Sequence, residues 1–500
     1  MRLHFLVACA GILGVAGCYH TGAYSCESSV ECVQNGIHGT CEPQGYCAFP
    51  DMSCMTGNRF ENNAGMGLAG TCVPAGALTD AGMDAAIDAP SSCGGVGQQC
   101  CQGELQMCND NSFCNNGTCQ QCAIDIAIGN RHTCVLRYDG TVWCAGANDE
   151  GQLGDGTVGG SDLPMRQQVR DNTTAFISDA TAIHSGVAHT CVLRAGGAVW
   201  CWGKNDDGQL GDGTSSNNRS SAVSATRASD GSPLTGFTAL TATHDTTCGI
   251  DSGGGEQCWG DNALGQVGDG TTTTPRLRAV PVLVAAAGAP VTGIAQISGN
   301  DDSHNCYRTT ANQIFCWGRN TSGEVGDNTV VNKLSPVHVF DAAQLVAGHD
   351  HTCAVKADGS AWCWGSGGRG RLGDGPDQGD QLVATPVLSS IGGAPFTGVA
   401  EMTAGGVSCS RMQNGDAYCW GTNQHGQTGT GIGTYVPLPV MTQYGTPLHG
   451  VAKLVAGYAT VCAFLADGEL MCWGRNQEGQ LGDGTFQSRN VAAPVKVSCP

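Results

Sequence analysis

The chain has 500 residues, 77 of them glycine and 30 cysteine; 13% are charged, 41% are hydrophobic, and the formal charge is −20. Glycine at about twice its usual share argues against a helix-rich fold, the apolar fraction excludes wholesale disorder, and the acidity makes nucleic acid and anionic membrane surfaces poor electrostatic partners. Thirty thiols without zinc-type spacing have no role in a reducing cytosol, so the composition points to an exported, disulfide-stapled all-β protein.

Residues 1–17 carry Arg2 and then the apolar run Phe5 to Gly17, the pattern of a signal peptide and too short to span a bilayer. The run ends in Val15-Ala16-Gly17-Cys18, which resembles the bacterial lipoprotein box. That resemblance implies a lipid on Cys18, a tether over 18–25, and membrane attachment in the cell envelope, at an outer membrane or the cell surface. Tyr19 in place of Asp is compatible with that destination; cleavage near Cys18 without lipid is the competing reading. No other segment reaches 18 uninterrupted apolar residues, so no transmembrane helix is expected.

Two cysteine-rich modules follow. Residues 26–72 hold Cys26, Cys32, Cys41, Cys47, Cys54 and Cys72, and residues 93–121 hold Cys93, Cys100, Cys101, Cys108, Cys114 and Cys119. Each is too short to build a core, so disulfides must replace burial; six cysteines allow fifteen pairings, which stay open. The second, with adjacent Cys100 and Cys101, looks like small knottin-type or stalk modules of bacterial surface proteins. Residues 73–92 are Ala, Gly, Asp and Pro without an aromatic, an acidic spacer. The single CxxC, Cys119 to Cys122, does not suggest metal.

From residue 134 a pattern recurs seven times: two cysteines ten apart, then a glycine-rich turn. The pairs are Cys134/Cys144, Cys191/Cys201, Cys248/Cys258, Cys306/Cys316, Cys353/Cys363, Cys409/Cys419 and Cys462/Cys472, with steps of 57, 57, 58, 47, 56 and 53. A period near fifty with several short strands per unit is a propeller signature. In Cys134-Val-Leu-Arg-Tyr-Asp-Gly-Thr-Val-Trp-Cys144 two apolar strands flank a three-residue loop. The last loop position must be left-handed, and it is glycine in six copies (Gly140, Gly197, Gly254, Gly359, Gly415, Gly468) and Asn312 in the seventh. Such a loop sets Cys134 opposite Cys144, so each pair is predicted to be a cross-strand disulfide. All nine tryptophans adjoin the second cysteines, and their fixed register predicts inter-blade core.

Gly186-Val-Ala-His-Thr-Cys191, Trp200-Cys-Trp-Gly-Lys-Asn205 and Gly208-Gln-Leu-Gly-Asp-Gly-Thr214, with near-copies at Gly348–Cys353, Trp362–Gly365, Trp473–Asn476 and Gly479–Thr485, resemble the repeat of the regulator of chromosome condensation (RCC1) family. The resemblance implies a seven-bladed β-propeller over 122–500; the paired cysteines depart from it. Superposing the repeats brings Cys122 and Cys499 to one virtual position, which predicts a Cys122–Cys499 disulfide across the seam.

Asp155, Asp212, Asp269, Asp327, Asp374 and Asp483, with Thr430 in the sixth copy, stand in Leu-Gly-Asp-Gly-Thr-like turns. One carboxylate per turn is thin for calcium, and an Asp closing on its own backbone is the expected role. His132, His189, His304 and His351 precede the first cysteine by two, but Thr246, Val407 and Thr460 break a metal ring, so hydrogen-bonded blade histidines are expected. HExxH, GxSxG and P-loop lysine motifs are absent from the sequence; neither catalytic residues nor a cofactor is predicted. Function is expected in the variable segments 157–176, 214–237, 271–293 and 375–397, lining one face of the disk. The expectation is a non-enzymatic, monomeric, membrane-anchored binding or scaffold module for an extracytoplasmic protein or glycan, with no nucleic-acid partner. The alternatives are a guanine-nucleotide exchange role by family analogy and a propeller hydrolase with acids at the central mouth.

Overall fold

The computed structural model describes residues 122–159, 162–299, 303–376 and 379–497, together with the backbone of short strands between 33 and 121. Within residues 1–88 these are Val33–Gln34 paired with Ile37–His38, and a three-stranded sheet of Thr40–Cys41, Cys47–Pro50 and Asn58–Phe60. The signal peptide, Cys18, the spacer 73–92 and Cys499 lie outside the described residues.

From Ala123 onward the chain forms seven four-stranded antiparallel sheets, each built from four consecutive strands. The first blade is Ala123–Ile128, His132–Arg137, Val142–Gly146 and Leu163–Gln168, from the inner strand to the outer one. The inner strands of blades 2 to 7 are Ala180–Ser185, Phe237–Ala242, Ile294–Gly299, Gln344–Ala347, Val399–Ala404 and Val451–Ala456. Seven hydrophobic clusters fill the spaces between adjacent blades, including one between the seventh and the first. The fold is a seven-bladed β-propeller.

The hairpin argument holds at each blade. The last loop residue is left-handed in all seven, from φ 64° at Asn312 to 95° at Gly468. The strand register sets the two cysteines of each blade directly opposite one another. The disulfides Cys134–Cys144, Cys191–Cys201, Cys248–Cys258, Cys306–Cys316, Cys353–Cys363, Cys409–Cys419 and Cys462–Cys472 all form, each with Cα atoms 4.1 Å apart. Cys144, Cys201, Cys258, Cys316, Cys363, Cys419 and Cys472 are fully buried in the third strands, as are their partners in the second. Each bridge closes an eleven-residue loop, worth about 3 kcal/mol on the loop-entropy account. Cys122 is also disulfide-bonded; its partner is none of the fourteen hairpin cysteines. The predicted Cys122–Cys499 bridge reaches a residue, Cys499, outside the described ones.

The tryptophans divide into two classes. Trp202, Trp259, Trp317, Trp364, Trp420 and Trp473, just after the second cysteine, are fully buried. Each indole Nε1–H donates to a carbonyl in the turn of the preceding blade: Gln152, Gln209, Gln266, Glu324, Arg371 and Gln427, at 2.9–3.0 Å. The approach needs glycine beneath the ring, since a Cβ on Gly268 would meet Trp317 Nε1 at 2.7 Å. Trp143, Trp200 and Trp362, just before the cysteine, are only partly buried, which corrects the expectation of uniform core. They lie nearer the hairpin tip, and a cation covers each ring: Arg137 at 4.3 Å, Arg194 at 4.6 Å and Lys356 at 4.0 Å.

Blade 1 carries Ala145 at the buried tryptophan position. At this seam Arg166, from the outer strand of blade 1, takes the indole's place. Its Nη1 donates to Gly482 O at 2.9 Å and to Lys496 O, and its Nη2 to Leu481 O at 3.2 Å. A Cβ on Gly482 would meet its guanidinium carbon, where the sister glycines meet indole. Burial and nearby Arg137 bring its pKa down to about 10, so it stays charged at neutral pH.

The four histidines join blades as well. His132 Nε2 lies 2.7 Å from Thr190 Oγ1, His189 2.9 Å from Thr247, His304 2.9 Å from Thr352 and His351 2.7 Å from Ser408 Oγ. Thr247, Thr352 and Ser408 donate their hydroxyls to Gln209, Glu324 and Arg371 O. Those hydroxyls therefore accept from His Nε2–H, which fixes the neutral tautomer. Burial lowers all four pKa values, His132 to about 3 and His189 and His304 to about 4.

Three outcomes are expected. Trp317→Ala should cost about 3–5 kcal/mol in denaturant unfolding of the oxidised chain, and Arg166→Ala should raise hydrogen exchange in Ala123–Ile128 and Leu470–Gly474 above that in Ile294–Gly299. For pH, the buried histidines bind protons in the unfolded chain from 6.5 downward but in the folded one only near 3–4. Their contribution is full above pH 6.5 and is lost as pH falls toward 4. His189→Gln should flatten that slope by up to one proton, read from unfolding free energies between pH 7 and 4.

Candidate functional site

Alternating strand directions give the disk two faces. One carries the connections from inner to second strand and the glycine-rich turns from third to outer strand. The other carries the disulfide hairpin tips and the connectors to the next blade. The variable segments 157–176, 214–237, 271–293 and 375–397 each contain an outer strand, such as Arg219–Ser224 or Gln381–Pro386. They therefore run from one face to the other, which corrects the expectation of a single lined face.

The turn aspartates act on their own backbone. Asp212 Oδ1 accepts from Thr214 N at 2.9 Å and Thr214 Oγ1 at 2.6 Å, and Asp155, Asp269, Asp327 and Asp483 do the same with Thr157, Thr271, Thr329 and Thr485. Bases from the outer strand take the other carboxylate oxygen: Arg219 on Asp212, Arg276 on Asp269, Lys333 on Asp327 and Arg489 on Asp483. Asp374 accepts from Gln381 Nε2, and Thr430 bonds Ile432 O. These carboxylates are spent inside separate turns and converge on nothing. The group Cys248, Glu256 and Cys258 is close enough for a metal, but both sulfurs are in the disulfide and offer no thiolate. Burial pushes the Glu256 carboxyl well up.

The inner strands enclose a central channel of about 220 Å³. Near one mouth, Asp125 Oδ1 meets Lys453 Nζ at 2.6 Å. At the matching register of blade 6, Glu401 meets Arg411 at 3.1 Å, and Gln296 and Gln344 donate to Leu345 O and Ala400 O of the next blades. One residue pair further in, Thr241 donates to Gly299 O, while Ser298 and Thr403 accept from the amides of Ala347 and Ala456. Most of the channel's polar lining is thus used to tie neighbours together. His184 faces the channel, its pKa lowered by burial.

Around the other mouth, ion pairs bridge blades: Lys204 reaches Asp245 at 3.1 Å, Arg319 reaches Asp350 at 3.0 Å, and Arg131 reaches Glu478. Within blades, Arg371 adds to Asp350 at 2.7 Å and Arg131 to Asp149 at 2.6 Å. Burial works to raise Asp245 and Asp350, but His244 with Lys204, and His349 with Arg371, outweigh it and hold both well below the usual carboxylate range. Sequence reading missed these pairs and Arg166. The signal for Arg166 was Ala145 standing where six copies have tryptophan; the ion pairs occupy loop positions that differ from copy to copy.

Comparison with known proteins agrees with this geometry. Residues 123–152, 180–209, 294–324, 342–371 and 451–480, and, in a second form, 139–193, 196–223, 312–355 and 467–500, match the "Regulator of chromosome condensation (RCC1) repeat". The ultraviolet-B receptor UVR8 of Arabidopsis thaliana is 30% identical over 339 residues, 66% of this chain and 72% of the receptor. The E3 ubiquitin-protein ligase HERC2 of Homo sapiens is 26% identical over 64% of this chain, a stretch that spans 6% of the ligase. Among solved structures, Prp20p of Saccharomyces cerevisiae superposes with a TM-score of 0.57 at 20% identity, covering 73% of this chain and 87% of that one. The chain belongs to the RCC1 repeat family.

Proposed function

We propose that the propeller is an extracytoplasmic binding module, held at a membrane by a lipid on Cys18, that engages a protein or glycan through its face loops. The observation that carries this reading is on the connector face. The connectors closed by Leu283–Pro290, Leu388–Pro395 and Met441–Pro447 bridges lift Val284, Ile391 and Tyr444 into solvent, at 54%, 65% and 65% exposure. Apolar side chains raised on short hairpins above a rigid scaffold suit recognition better than stability. The seven disulfides indicate an oxidising, extracytoplasmic setting, which weighs against nucleotide exchange on a cytosolic GTPase. Against a hydrolase, Asp125 and Glu401 each pair with a base rather than with another acid. No helix among the described residues is long and apolar enough to cross a membrane.

Fractionation and crosslinking on intact cells test this together. The protein should sediment with membranes and Cys18→Ser should not. A discrete crosslinked partner should appear, and its yield should fall several-fold in Ile391→Ser/Tyr444→Ser protein of unchanged melting temperature. Free thiols and cytosolic residence would overturn the reading.

A further inference from the structure

One side chain breaks the apolar pattern of the disulfide hairpins. Two residues before the second cysteine, six blades carry Val142, Val199, Ile314, Ala361, Ala417 and Leu470, whereas blade 3 carries Glu256. All seven side chains are buried, Glu256 at 1% exposure. Strand register sets Glu256 opposite Ile250, and through this side of the hairpin blade 3 packs on blade 4. The core between them holds Ile250, Val282, Val291, Ile294 and Tyr307. The carboxyl thus stands in the contact between two blades, where its sisters supply only hydrocarbon.

Nothing in this core compensates a charge. Glu256 Oε2 has no hydrogen-bond partner. Oε1 lies 3.9 Å from Cys258 Sγ; a disulfide sulfur carries no hydrogen, so a hydrogen between the two belongs to the carboxyl. Tyr307 faces it from blade 4, and burial together with Glu256 pushes that phenol well up. Charged side chains on the second and outer strands of these blades are engaged elsewhere: Asp251 with Gly253 N, Arg276 with Asp269, His304 with Thr352, Arg308 with Gln296 and His338 with Asp341. A carboxylate is strongly disfavoured in such surroundings, and burial holds the Glu256 carboxyl well above its ordinary value of 4.5. The same contact lacks a histidine pair. Thr246 and Asn305 stand where His189 and Thr247 stand one blade earlier, and Asn305 Oδ1 is buried without a partner.

We propose that Glu256 makes the contact between blades 3 and 4 a pH-sensitive latch: the neutral acid packs in this core, and its ionisation opens this contact ahead of the other six. Once open to water, the carboxyl gives up its proton near 4.5; in the closed contact it keeps it to a much higher pH. Over the range between, every opening releases one proton, so opening becomes about tenfold easier with each pH unit. The four buried histidines work the other way, favouring closure of their own contacts as pH rises toward 6.5. The connector that lifts Val284 into solvent hangs on the same core through Val282 and Val291, so the latch governs one of the proposed binding loops. That consequence rests on the binding-module reading; the latch itself does not.

The test is hydrogen exchange of the full-length oxidised protein at pH 6, 7 and 8, with the intrinsic pH dependence of amide exchange divided out. The opening constants of Glu256–Gly260, Ile294–Gly299 and His304–Thr309 should rise about tenfold per pH unit, while those of Ala180–Ser185 and Val399–Ala404 stay level. Glu256→Gln, which keeps the shape and cannot ionise, should level the slope. Glu256→Val, the residue of blades 1 and 2, should level it and raise protection of the three strands at pH 8 by at least about tenfold. A slope that survives in both variants, no slope in the unaltered protein, or one slope shared by all seven blades would overturn the latch. If the strands behave as expected and no partner is crosslinked, the latch stands and the binding module falls. A crosslinked partner with level exchange gives the reverse.

Discussion

The ring depends on one contact made six times: an indole N–H of one blade donating to a turn carbonyl of the blade before it, across a glycine with no side chain. A sheet buried on both faces cannot choose its neighbour's height by hydrophobic packing alone, because apolar contact is not directional. The indole supplies area and direction together. The histidine–hydroxyl pairs reach the same carbonyls at Gln209, Glu324 and Arg371, so one oxygen in each of those turns collects two donors and fixes the stacking distance. The disulfides act within blades, holding each hairpin flat enough to present its tryptophan.

Charge is handled locally. A chain with 43 acids against 23 bases would repel itself as a compact disk, yet most turn aspartates meet a base from the neighbouring outer strand, and the buried Asp245 and the partly buried Asp350 sit among cations. Exposed pairs of this kind contribute little stability. Their effect here is to consume carboxylates that would otherwise crowd one face.

The sequence made the hairpins legible because three independent features agreed: cysteine spacing, loop length and a left-handed residue. It made the six buried tryptophans legible through register. It did not separate Trp200 from Trp202, since both point to the same side of the strand and differ only in distance from the disk edge. The outer strands were hidden because Arg219–Ser224 and its equivalents are edge strands with polar composition and mixed burial. The histidines were read as hydrogen-bonded, but partners some fifty residues away, such as Thr247 for His189, follow only from the closed ring. The channel ion pair Asp125–Lys453 joins residues 328 apart and exists only once the seventh blade meets the first.

Ala145 carries a consequence for the order in which the ring is built. Blades 2 to 7 each dock a tryptophan onto a turn that lies earlier in the chain, so a polypeptide that emerges amino end first always finds its receptor already made. The first blade has no such predecessor. Its place beside Leu481 and Gly482 comes into being last, and the residue that waits there is a long, water-soluble arginine rather than an indole. A chain still growing therefore leaves no indole waiting at the Ala145 position of blade 1 while the other six are being laid down; Trp143, on the same side of that strand, is already covered by Arg137 of its own blade.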